Sequence, residues 1–210
     1  MQILMDSINF LLHIDTILST IISTYGNLSY IILFAIIFAE TGFVFTPFLP
    51  GDSLLFAAGA FAATGSFNIS ILILLLWLAA FLGDTANYYI GKFIGQKLID
   101  SHKVNINQNY INRTQEFYKK HGGKTIFLAR FIPIIRTFAP FIAGISKMNY
   151  AKFSLFNILG GLFWISMFTL SGYFFGNIPQ VKENFSIVIV AIILISFIPI
   201  LAEFLNKKNS

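Results

Sequence analysis

An all-α integral membrane protein is predicted by three features of this chain of 210 residues. Hydrophobic residues make up 56% of it and charged residues only 11%, against roughly 25% charged in an ordinary soluble domain, so the chain lacks the polar surface to face water. Several apolar runs approach or exceed the ~18–20 residues that cross a bilayer. The 14 basic residues all lie between Lys92 and Lys208, and seven of them (Lys92, Lys97, Lys103, Arg113, Lys119, Lys120 and Lys124) fill one hydrophilic stretch. A stretch of that kind belongs on the cytoplasmic side, so the net charge of +5 reports topology rather than nucleic-acid binding. Without cysteine there is no disulfide, thiolate nucleophile or Cys-ligated zinc. No positively charged leader and no lipidation motif is read.

Taken in order, the elements form one membrane domain, 1–210. Residues 1–24 carry Leu4, Ile8, Leu11, Ile14, Leu18 and Ile21 at helical spacing among Asp6, Asn9, His13 and Thr16, which predicts an interfacial helix. An acidic half, 28–91, follows: a span from Leu28 to Thr46, a re-entrant hairpin from Pro47 to Thr64, and a span from Ile69 to Ile90. Pro47 and Pro50 free the carbonyls of Phe43 and Thr46 just before Gly51 and Asp52, which predicts broken backbone there. Residues 92–124 form a cytoplasmic connector with a surface helix around Tyr110–Lys120, stopped by Gly122-Gly123. The basic half, 125–176, holds a second hairpin, Thr125 to Ile145, broken by Pro133 and Pro140, then the span Phe153 to Phe175. The last transmembrane helix occupies 181–206.

Whether Thr125 to Ile145 crosses or returns is decided by charge. If it crosses, Lys147, Lys152, Lys207 and Lys208 fall outside, against eight basic residues inside; if it returns, eleven lie inside and Lys182 alone outside. The second arrangement obeys the positive-inside rule. Unpaired backbone at membrane depth is tolerated only against protein or a water-filled cavity, which also fits a hairpin. The prediction is therefore about four transmembrane helices and two opposed re-entrant helical hairpins, with both termini cytoplasmic. Ala58-Gly59 after Pro47 echoes Ala143-Gly144 after Pro133, and opposed repeats with broken helices are a transporter design.

Five ionisable residues, Glu40, Asp52, Asp84, Arg130 and Arg136, lie in or beside the apolar segments. At roughly 2.5–3.5 kcal/mol each at the bilayer centre, five unpaired ions would cost on the order of 12–18 kcal/mol, so they are expected to be paired, hydrated or partly neutral. Three acids against two arginines leave one negative charge in surplus, which protonation would neutralise. Glu40 sits deep in its span among Ile36, Ile37, Phe38 and Phe43. Asp84, beside Asn87 and Tyr88 near the cytoplasmic end of its span, reads as an ion that snorkels to the interface, with at most an accessory role shared with Tyr88. Arg130 and Arg136 beside broken backbone make a preorganised anion site suited to phosphate or carboxylate.

The run Ala129-Arg130-Phe131-Ile132-Pro133-Ile134-Ile135-Arg136-Thr137-Phe138-Ala139-Pro140-Phe141-Ile142-Ala143-Gly144, followed by Met148-Asn149-Tyr150 and Phe153, resembles the signature of the DedA family. Glu40, Pro47 and Pro50-Gly51-Asp52 resemble its acidic motif, and Gly83-Asp84 with Tyr88 and Gly91 its second glycine-acid motif. The resemblance covers about Glu40 to Phe153. It implies two opposed re-entrant hairpins and a transporter in the bacterial inner membrane, driven by a proton or sodium gradient. For some members it implies return of undecaprenyl phosphate to the cytoplasmic leaflet. Carried over by position, the essential acids fall on Glu40 and Asp52 and the essential arginines on Arg130 and Arg136. Asp52 stands where the acidic motif often ends in Glu, shortening the reach by one methylene.

Other chemistries have less support. His13, His102 and His121 are dispersed, and no His/Asp/Glu cluster has metal-ligand spacing. Ser53 and Ser146 lack a histidine base nearby, so no enzyme is expected. No cofactor is expected beyond the ion gradient. The expected partners are membrane lipids, a polyprenyl phosphate or an anionic phospholipid, with no nucleic acid, and the chain is compatible with a homo-oligomer. Two rivals stand beside lipid transport: a small-ion antiporter with the arginines as counter-ions, and a membrane-assembly protein with the ions as pins. Gly144, like Gly59, is expected to permit close helix packing.

Overall fold

The computed structural model describes residues 14–43, 51–95, 122–192 and 194, and every regular element among them is helical. In chain order these are α1 (Ile14–Tyr25), a 3₁₀ turn (Gly26–Leu28), α2 (Ser29–Gly42), α3 (Gly51–Ala63), α4 (Ile69–Ile90) with a π-helical extension (Gly91–Gly95), α5 (Lys124–Ala129), α6 (Pro133–Ile145), α7 (Tyr150–Phe175) and α8 (Pro179–Glu183). Residues 185–192 are again helical. Pro47 and Pro50, most of the connector and most of the last expected span lie outside the described residues.

Three helical stretches among the described residues are long and apolar enough to cross a membrane: Thr16–Gly42, Ile69–Phe93 and Tyr150–Phe175. The first joins α1 to α2 through the 3₁₀ turn, where Gly26 adopts φ +51° and Ser29 Oγ donates to the Ile21 carbonyl at 3.2 Å. The described part of the expected interfacial helix thus runs on into the first span. Surface chemistry places the protein in lipid rather than water. On α7 the exposed large side chains are Leu155, Leu159, Leu162 and Phe163, while Asn157 on the same helix is fully buried. A helix in water turns those faces the other way.

The chain divides into two units. The first takes Met1–Ala35, Leu49–Leu76 and Ile165–Ser210. At its centre is α3, buried around almost its whole circumference from Gly51 to Ala62. Its seat on the end of α7 is made by missing side chains: a Cβ on Gly59 would strike the Thr169 carbonyl, and one on Gly172 the Phe56 carbonyl. Backbones approach this closely only where neither residue carries bulk. Asn68 begins α4, its Oδ1 accepting from the Ser70 and Ile71 amides at 3.1 and 3.2 Å, and its own amide donates to Tyr30 Oη at 2.7 Å.

The second unit takes Ile36–Phe48 and Trp77–Trp164. Its short helix α6 is seated in the same manner: a Cβ on Gly144 would meet the Tyr88 carbonyl, and one on Gly91 the Phe141 carbonyl. The Ala-Gly echo in the sequence therefore marks the same device in each unit, a short helix fitted on a long one. Between α5 and α6 the chain breaks. Ile132 is extended, with φ −120° and ψ 108°, as the residue before a proline must be, and Pro133 opens α6. The Ala129 carbonyl that Pro133 cannot serve accepts instead from the Ile132 amide at 3.1 Å.

Pro140 does not break the chain, contrary to the sequence expectation, and lies inside a continuous α6. Its loss of a donor falls on the Arg136 carbonyl, and the next carbonyl, that of Thr137, accepts from Asn87 Nδ2 at 2.7 Å. A side chain from α4 thus supports the backbone where the proline loosens it. At its far end α6 closes with Lys147 in the left-handed region at φ 52°. The Met148 amide reaches the Ala143 carbonyl at 3.0 Å and the Lys147 amide the Gly144 carbonyl at 3.0 Å, a Schellman closure.

Candidate functional site: two buried arginines and their acids

The second unit gathers four of the five ions noted in the sequence. Glu40, on the last turns of α2, is fully buried and ion-paired with Arg136 on the first turn of α6. Asp84 on α4, 2% exposed, is ion-paired with Arg130 at the break before α6. Glycines let α2 and α4 touch beside these acids: a Cβ on Gly42 would stand 3.4 Å from Gly83 Cα. Two arginines against two carboxylates leave this cluster formally neutral, which satisfies the large desolvation requirement of buried charge.

Asp84 therefore corrects the sequence reading. It does not reach toward an interface; it turns inward onto Arg130, whose head also donates to Asn157 Oδ1 at 2.6 Å. Asn157 in turn donates to the Phe81 carbonyl at 3.2 Å, which fixes the orientation of its amide. Asp52 lies in the first turn of α3, in the other unit, partly exposed. Gly51, beside it, is buried at the start of the same helix.

Trp164 is wholly buried beside both arginines, its ring 4.6 Å from Arg136 Cζ and 5.8 Å from Arg130 Cζ. These are cation–π distances. Tyr88 holds the turn after α6: its hydroxyl donates to the Met148 carbonyl at 2.5 Å and its ring stacks on Phe153 at 4.7 Å. Asn87 ties three segments, its amide donating to the Thr41 carbonyl at 3.1 Å as well as to Thr137. The first of those is one of the carbonyls a helix end leaves unserved, here the end of α2.

Asn87, Asn157, Gly161 and Trp164 are site residues that the sequence reading missed. Asparagine within an apolar span was the available signal, because lipid offers its amide no partner.

Residues 49–174, more than half of the chain, match the VTT domain. The chain belongs to the DedA family of VTT-domain proteins. It is 48% identical over 206 residues to Protein DedA of Escherichia coli K12, a match covering 97% of this chain and 94% of that protein. It is 43% identical over 167 residues to the Uncharacterized membrane protein ML0287 of Mycobacterium leprae, covering 79% and 75%. To the Inner membrane protein YqjA of Escherichia coli K12 it is 38% identical over 151 residues, covering 71% and 69%. No solved structure matches. The run Ala129 to Gly144, which resembles the family's signature, lies within the matched residues and carries both buried arginines and the chain break.

Proposed function

We propose that this DedA-family protein is a transporter that moves an anionic lipid carrier, such as undecaprenyl phosphate, across a bacterial inner membrane at the expense of a proton or sodium gradient. The observation that carries the reading is the pair of buried guanidiniums, each held by a buried carboxylate, at and just after the break between α5 and α6. A guanidinium fork matches a phosphate better than any other side chain does. Here it is withdrawn from water, where each contact with an anion is stronger.

Glu40 and Asp52 act as the coupling acids. Protonation of Glu40 removes the charge that holds Arg136, and the freed fork takes the phosphate while the tail stays in lipid. Release of the proton on the other side restores the pair and expels the anion. Asp52, at the head of α3, serves the same cycle from the first unit. The short helices α3 and α6, each 13 residues long, measure about 20 Å, short of the ~30 Å hydrocarbon core. That length favours two re-entrant hairpins; the distribution of basic residues favours α3 entering from outside and α6 from the cytoplasm, with both termini cytoplasmic. The family relationship supports a membrane role of this kind. The chain works without a cofactor and, in this reading, is not an enzyme.

Glu40→Gln tests the coupling. In proteoliposomes the folded variant is expected to move lipid at a rate indifferent to the imposed gradient, whereas wild type responds to it. A variant that still follows the gradient removes Glu40 from the mechanism.

A further inference from the structure

Asn157, Gly161 and Trp164 follow one another on α7 at steps of four and three residues, which sets them on one face of the helix. Each meets a guanidinium in a different way. Asn157 Oδ1 accepts from Arg130 Nη2 at 2.6 Å. Gly161 leaves the space that the Arg130 head occupies, since a Cβ there would stand 2.8 Å from Nη1. Trp164 lays its ring against Arg136 at 4.6 Å and against Arg130 at 5.8 Å. The other side of this stretch of α7 shows Leu155, Leu159, Leu162 and Phe163 to the outside.

These three residues share a property that the acids lack: none gains or loses a charge. Glu40 and Asp84 are ion-pair partners of the arginines only while ionised, and the transport cycle above requires Glu40 to release Arg136. A guanidinium that keeps its place through that step is held by contacts that do not depend on a carboxylate's charge. We propose that Asn157, Gly161 and Trp164 form an uncharged cradle that keeps both guanidiniums in position while a carboxylate partner is released, so that the arriving phosphate finds a preorganised site. The proposal rests on the transport reading for its purpose, but its geometry can be tested without lipid. In this account the three are positioning residues, acting through Arg130 and Arg136.

Neighbouring glycines supply a matched pair of variants. In Gly161→Ala the new methyl meets the free end of the Arg130 side chain, so the guanidinium moves and the backbone does not. In Gly160→Ala the nearest atoms lie at 3.4 Å, ordinary contact, and nothing has to move. With both variants eluting as folded protein, Gly161→Ala is expected to lower translocation of undecaprenyl phosphate on the order of tenfold, and Gly160→Ala to leave it unchanged. Trp164→Phe, which keeps an aromatic face, is expected to stay within about threefold of wild type, and Trp164→Leu to lose about tenfold. Equal losses in the two Trp164 variants would show that packing, not the ring face, matters, and would overturn the cradle.

The second measurement needs no transport. Trp77→Phe leaves Trp164 as the one tryptophan of the chain, which has two. In that background Arg136→Gln and Gly161→Ala are each expected to shift the Trp164 emission, and Gly160→Ala is not. Emission unmoved by Arg136→Gln overturns the proposal whatever the protein transports. Shifts as expected, in a protein that moves no polyprenyl phosphate, support the cradle's geometry and overturn the lipid-carrier reading instead.

Discussion

Asp84 shows how much a single buried partner decides. Removing its charge while leaving Arg130 in place strands a guanidinium that is 2% exposed. Asp84→Asn is therefore expected to destabilise the protein by about 3–5 kcal/mol, read as a lowered thermal midpoint in detergent. The double variant Asp84→Asn with Arg130→Gln should recover most of that loss, because no uncompensated charge remains. If the double variant melts no higher than the single, the two residues are not energetically paired. The presence of costly ions at Glu40, Asp84, Arg130 and Arg136 was legible in the sequence, since an apolar run makes each of them conspicuous. Their pairing was not. Asp84 and Arg130 are 46 positions apart, and hydropathy says nothing about which acid faces which arginine. The same blindness hid Gly161 and Trp164, which look like ordinary members of an apolar span until the arginines are set against them.

Among the elements, α6 carries the most local information. Pro133 announced its start, and the fixed φ of proline with an extended residue before it makes the break between α5 and α6 a local event. Pro140 misled, because a proline inside a helix is tolerated where a neighbour serves the loosened backbone, and Asn87 on α4 is that neighbour. The Schellman end was not legible either: position 147 carries lysine where glycine would signal a left-handed residue. That mismatch gives a prediction at this scale. Lys147→Gly is expected to stabilise the fold by about 1 kcal/mol through relief of the left-handed conformation, and a thermal midpoint at or below that of wild type would count against this closure. The paired Ala-Gly seats at Gly59 and Gly144, by contrast, were visible as a weak repeat and correspond to the same packing device in each unit.

For the molecule as a whole, the transport cycle depends on sidedness, and the cysteine-free chain suits single-cysteine labelling. Asn107→Cys, Lys147→Cys and Ser210→Cys are expected to react with an impermeant thiol reagent only from the cytoplasmic side, and Gln180→Cys only from outside. Position 147 is the decisive one, because labelling from outside would mean that α5 and α6 cross the membrane rather than return. The fold class was readable from composition, since a chain with so few charges has no soluble alternative. The division into two units was not, because each draws on segments distant in sequence. The most direct test of the central claim is translocation of undecaprenyl phosphate between leaflets of proteoliposomes, by wild type and by folded Arg136→Ala, each with and without an imposed proton or sodium gradient. The account predicts gradient-stimulated movement by wild type and its loss in the variant. Movement that survives Arg136→Ala, or none by folded and inserted wild type under either gradient, would contradict it.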